Sequence, residues 1–110
     1  MTQQIYNEEH QRFISRKIVE TARSIISGEL EIIAGARQLW RLGNEIGAER
    51  DPDFTFFRGL DSETDHLPLG AVRRHWNPEA LREKDAEIAK VELSYQQQVL
   101  EICRRLVQKY

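Results

Sequence analysis

Residues 27–46 read SGELEIIAGARQLWRLGNEI, and the periodicity of this stretch decides the fold class. Val19, Ala22, Ile26, Leu30, Ile33, Ala36 and Trp40 follow one another at spacings of 3, 4, 4, 3, 3 and 4, which lines one face of an α-helix. That phase runs straight through Ser27-Gly28. From Leu30 a second apolar set, Ile32, Gly35, Leu39, Leu42 and Ile46, keeps helical spacing on roughly the opposite side. A helix that is apolar on two sides lies between neighbours, so residues 29–46 are the expected central helix. Ala34, Gly35 and Ala36 are small, which lets another helix approach closely there.

Upstream, two readings fit the same residues. One is a single long helix weakened at Gly28, where glycine costs about 1 kcal/mol relative to alanine. The other is a tight hairpin, with a first helix over about 3–27, Gly28 in the turn and Ser27 capping the second helix. The hairpin is preferred, because a helix from Gln3 to Glu45 is unusually long for so small a domain. Downstream, Asn77 can cap a helix, Pro78 suits its first position, and Glu79 puts negative charge at its positive end. Ile88, Val91, Tyr95, Val99, Ile102 and Leu106 then follow at spacings of 3, 4, 4, 3 and 4. The spacing predicts a helix over 78–108, roughly 46 Å long at 1.5 Å per residue. Cys103 shares its face with Val99, Leu106 and Val107, which predicts a buried, inert thiol.

Between these helices, residues 48–76 carry frequent turn and breaker signals: Asp51-Pro52-Asp53, Arg58-Gly59, Leu67-Pro68 and Gly70. The same stretch holds Phe54, Phe56, Phe57, Leu60, Leu67, Leu69, Val72 and Trp76, which want burial. It therefore reads as an ordered, irregular crossover packed over the helices, with at most a short helical turn. The expected architecture is an all-α bundle of about three main helices, or two long ones, in a single domain over 1–110. A long acidic loop joins the second and third helices. Trp40 and Trp76 are the expected core anchors.

The whole chain has 110 residues, 40% hydrophobic and 31% charged, with a formal charge of −2. That length suits one domain, and no apolar run reaches the roughly 18–20 residues of a membrane span. The N-terminus has neither a basic start nor an apolar run, so no signal peptide is visible. A single cysteine excludes a disulfide scaffold. A soluble cytoplasmic protein is the expectation. Charge is unevenly placed, because residues 48–70 hold six acids against Arg50 and Arg58, a net of −4.

Asp61-Ser62-Glu63-Thr64-Asp65-His66 is the densest polar cluster. Its alternating carboxylates resemble the opening of a calcium loop, but that motif wants glycine sixth and glutamate twelfth, where this chain has His66 and Val72. Local capping of turns by these side chains is the simpler reading, and an acidic docking edge for a basic partner is the functional one. Arg73-Arg74-His75 beside Trp76 is the one basic patch with an adjacent aromatic. With the −4 segment alongside, internal pairing is expected and nucleic-acid binding is not. His10, His66 and His75 lack the spacing that sets two metal ligands on one helix face. No nucleophile elbow or phosphate loop is present, so no catalytic, metal or cofactor residues are assigned.

The chain resembles a family of short uncharacterised bacterial proteins, a domain of unknown function. The resemblance lies in Ser27-Gly28-Glu29, in the run Asp61-Ser62-Glu63-Thr64-Asp65-His66-Leu67-Pro68-Leu69-Gly70, and in Trp76, Ala80-Leu81 and Lys84-Asp85, over about residues 25–105. It implies a small bacterial cytoplasmic protein and carries no site residues.

The residues favour a non-enzymatic interaction module. One concrete form is an immunity or antitoxin-type protein that covers the basic face of a bacterial toxin. Its expected partner-binding residues are Asp61, Glu63, Asp65, His66, Arg73 and Arg74. The alternative is a small enzyme, or a binder of a metal or phosphate ligand, built from the same central residues. A homodimer through exposed apolar stripes is compatible with either.

Overall fold

The first helix, α1 (Thr2–Ser27), stops where Gly28 takes a φ of 83°, a left-handed conformation that side chains disfavour. The computed structural model describes the backbone of residues 2–110 and the side chains of residues 7–110. At the stop, the Gly28 N–H donates to the Ile25 carbonyl at 3.1 Å and the Leu30 N–H to the Ser24 carbonyl at 3.0 Å. Ser27 does not cap the next helix as expected, since its hydroxyl donates back to the Ser24 carbonyl. The cap comes from elsewhere: Glu92 Oε2 accepts from the Ile32 N–H at 3.0 Å. The chain is therefore a hairpin at Gly28 and not one bent helix. The buried face of α1 is Ile14, Ile18, Ala22 and Ile25, while Ile26 is exposed. An apolar phase that looks continuous across Gly28 in the sequence is thus reset by the turn.

The second helix, α2 (Ile32–Glu45), is the centre of the molecule and packs against α1 and both later helices. Ile32, Ile33, Gly35, Ala36, Leu39 and Gly43 are buried, on two sides, as the doubled periodicity implies. Close approach depends on the glycines. A Cβ at Gly35 would sit 2.3 Å from Ile25 Cδ1, and one at Gly43 would sit 2.3 Å from Phe54 Cδ1.

The region expected as an irregular crossover over 48–76, with a long acidic loop, is mostly helical. The third helix, α3 (Pro52–Thr64), and a 3-10 helix (Gly70–His75) occupy it. The fourth helix, α4 (Pro78–Lys109), comes next, so the all-α bundle has four α-helices and a 3-10 helix and not about three. Asp51-Pro52-Asp53, read in sequence as a turn, is a helix start. The Asp51 carboxylate accepts from the Asp53 N–H at 2.9 Å, and Pro52 takes a position whose N–H would have no helical partner. Phe54, Phe57, Leu60 and Thr64 are then buried at spacings of 3, 3 and 4. Gly59 lies within α3 on its exposed side, a modest cost that the aromatic burial outweighs.

The main core joins α1, α2, α3 and α4 around Ile18, Leu39, Phe54, Phe57, Val99 and Leu106. A smaller one holds Ile33, Leu67 and Ile88. Trp40 packs partly on the main core, with the Arg58 guanidinium 5.9 Å from its ring. Trp76 is partly exposed and belongs to neither core, so it is not the anchor expected of it. Among the described residues no helix is long and apolar enough to cross a membrane.

Two glycines in helix interiors should respond oppositely to alanine. Gly43→Ala pushes a methyl into the fully buried Phe54 ring and should cost about 1–3 kcal/mol. Gly59→Ala meets nothing within 4 Å and should gain about 0.5–1 kcal/mol. Urea unfolding of both variants checks the pair. Cys103 is fully buried, and burial pushes its thiol up to about 12. Alkylation should therefore track unfolding across a urea titration and be negligible in the native baseline.

Candidate functional site

The six candidate residues are distributed by α3 and its junction with α4. Asp61 and Glu63 are two positions apart on a helix, about 200° around its axis, and they meet different partners. Asp61 Oδ1 lies 3.2 Å from Arg37 Nε of α2. That nitrogen is buried and not aligned for a hydrogen bond. Arg37 Nη2 donates instead to the Thr64 carbonyl, so one guanidinium both caps the end of α3 and offsets Asp61. Thr64 is fully buried, and its hydroxyl donates to the Leu60 carbonyl at 2.7 Å. Glu63 Oε2 accepts from the Tyr95 hydroxyl of α4 at 2.5 Å, which raises the Tyr95 pKa above its usual value. Asp65 is the exposed C-cap residue that follows α3.

His66 and Arg73 sit on opposite sides of α4. His66 Nε2 lies 2.9 Å from Glu87 Oε1. That contact, with Lys84 at 3.2 Å, holds the Glu87 carboxyl below the usual range. Arg73 forms a two-pronged pair with Asp85, at 2.7 and 3.0 Å, and also donates to the Pro68 carbonyl at 3.2 Å. The pairing lowers the Asp85 pKa. Arg74 is exposed on the 3-10 helix. The structure thus places Asp61 and Arg73 in structural pairs, His66 and Glu63 in exposed contacts with α4, and leaves Asp65 and Arg74 at the surface. Among the described residues no three His, Cys, Asp or Glu side chains gather as a metal site.

Beside Arg73 runs a half-open groove of about 670 Å³ between the start of α2, the 3-10 helix and α4. Glu31, Arg73, Asp85 and Glu92 supply its charges. Burial raises the Glu92 pKa, partly offset by the Ile32 N–H and reinforced by Glu31. Glu92 and the other α4 partners, Asp85, Glu87 and Tyr95, are not among the candidates that the sequence offers. Their contacts span 12 to 60 residues, which no local pattern reports. Arg37 does leave a signal, as one of two cations, with Arg41, within the helix that is apolar on two sides.

At the other end of α3 the acidic residues are also engaged. Asp53 pairs with Arg105 at 2.7 Å, and Asp51 accepts from Lys109. The Lys109 ammonium, followed by the Asp53 N–H, holds the Asp51 carboxyl below its ordinary 3.8 despite some burial. A carboxyl with a lowered folded pKa contributes stability above its unfolded value and loses it as the pH falls through the folded one. Lys109→Met should therefore melt below the wild type at pH 7. The gap should close on acidification below about pH 3.8, read from melting temperatures across a pH series.

No curated protein and no solved structure matches the chain. A family described as a protein of unknown function, DUF2489, matches residues 1–106, and the chain belongs to that family.

Proposed function

We propose that the chain is a non-enzymatic protein-interaction module, working in the cytoplasm, whose contact surface is the C-terminal end of α3. One observation carries the reading. Asp61 and Glu63 lie in the last turn of α3 and Asp65 directly follows it, at the negative end of a helix whose last turn holds no basic residue. A carboxylate there opposes the helix dipole, at about 0.3–1 kcal/mol each when exposed. Arg37 offsets Asp61 and caps the Thr64 carbonyl. Glu63 and Asp65 remain exposed, a charge arrangement that costs folding energy and makes a negative pole.

A negative pole of this kind suits a partner with a basic contact surface, which it would attract over several ångströms and orient on approach. A toxin that presents a basic, substrate-binding face is one such partner, and the chain would then act as its immunity or antitoxin protein. The proposed contact residues further include His66, next to Asp65 in the chain, and Arg74, exposed on the 3-10 helix, while Asp61 and Arg73 are held by Arg37 and Asp85.

The test is capture of the tagged chain from its own cells at moderate salt, beside a Glu63→Gln/Asp65→Asn variant. These substitutions spare Asp61 and the Arg37 cap. The expected result is a stoichiometric basic protein held by the wild type, bound roughly tenfold more weakly by the variant, and released by added salt. A partner held equally by the variant, with helicity and melting temperature unchanged, or no partner at all, overturns the reading.

A further inference from the structure

We infer that a second copy of this chain packs antiparallel against α1, with the two helices crossing at Phe13. Asn7 to Phe13 form two helical turns in which every residue is exposed, and Ile14 is the first of the described side chains of α1 to enter the core. These residues therefore add no side chain to the core, which is where a helix in a protein draws most of its stability. Phe13 is 48% exposed and faces away from the stripe of Ile14, Ile18, Ala22 and Ile25 that meets the core. The Lys17 ammonium lies 5.5 Å from its ring centroid and 3.6 Å from Glu20, both at the surface.

The charge pattern says what covers this face. Glu8 and Glu9 precede Phe13 and Arg16 and Lys17 follow it, with Arg12 and Glu20 as the exception on each side. Glu9, Phe13 and Lys17 fall at i, i+4 and i+8, on one stripe. When a copy is turned end for end about Phe13, Glu9 faces Arg16 and Lys17 of the other molecule, and the same pairing repeats across the two-fold axis. The two Phe13 rings meet at the centre, within the range where aromatic pairs gain beyond their area. A parallel arrangement would set like charges together and is disfavoured. The contact is isologous and closes at two copies. Two helices meeting over a few turns cover less than the roughly 1,000 Å² of a stable interface, so the association is weak and salt-sensitive.

Sedimentation equilibrium of the full chain from about 1 μM to about 1 mM, spanning roughly −8 to −4 kcal/mol of affinity, tests the inference. The expected result is a dimer that weakens as salt is raised. Arg16→Glu/Lys17→Glu and Glu9→Lys should each weaken it at least about tenfold, with helicity by circular dichroism unchanged because all three positions are exposed. Mixed in equal amounts, the two variants should pair with each other, since opposite charges again face across the axis. A chain that stays monomeric at the highest concentration overturns the inference. So does a dimer that both variants retain, a mixture that fails to associate, or a dimer lost on Leu93→Ser but not on Phe13→Ser.

Discussion

The fit of Phe54 into the space above Gly43 is the contact on which the rest of the molecule depends. α2 is short, and it must meet three other helices at once. It does so because two of its positions carry no side chain, so the α1 and α3 axes come closer than an alanine would allow. The Phe54 ring is fully buried there and also stands edge-on to Tyr110, 6.1 Å away between centroids. One residue of α3 is thereby tied to the last turn of α2 and to the end of α4. Interiors packed at this density do not absorb an added methyl without a shift of backbone.

The sandwiched α2 and the long α4 are legible from periodicity and capping residues because each is a local property of the chain. The turn at Gly28 follows instead from the length a single helix would need, since the apolar phase runs through it and Ser27 makes no cap. α3 is hidden for the opposite reason. Asp51-Pro52-Asp53 serves equally as a turn and as a helix start, and only the residues after Asp53 distinguish the two. Phe54, Phe57 and Leu60 sit at helical spacing, but Gly59 and the acidic residues interleave with them and dilute the pattern. That these aromatic residues are buried is plain from their type. The conformation that buries them is concealed by the turn signals around them.

The polar layer obeys another logic. Of the candidate residues that stand out by composition, Asp61 and Arg73 serve the fold, through Arg37 and Asp85. Their partners lie on other helices, so a dense acidic run in sequence does not become a dense acidic patch in space. A helix disperses neighbouring side chains around its axis, and α3 disperses Asp61, Glu63 and Asp65 in this way. What survives as a surface property is the end of the helix itself, where the backbone dipole and the uncompensated carboxylates add.

The packing of α1 against α4 bears on how the chain assembles. α2 and α3 are neighbours in sequence and meet through a short connection, so their contacts close small loops and form early at little entropic cost. The α1–α4 pair joins segments from opposite ends of the domain, and its contacts await closure of a loop that encloses almost everything else. Helical bundles ordinarily fold fast because their contacts are local. In this one the contacts of α2 with α1 and α3 are local and those of α1 with α4 are not. Until α4 arrives, the N-terminus of α2 lacks its Glu92 cap, and α3 lacks the cations that hold Asp51 and Asp53. α4 thus completes the two elements before it.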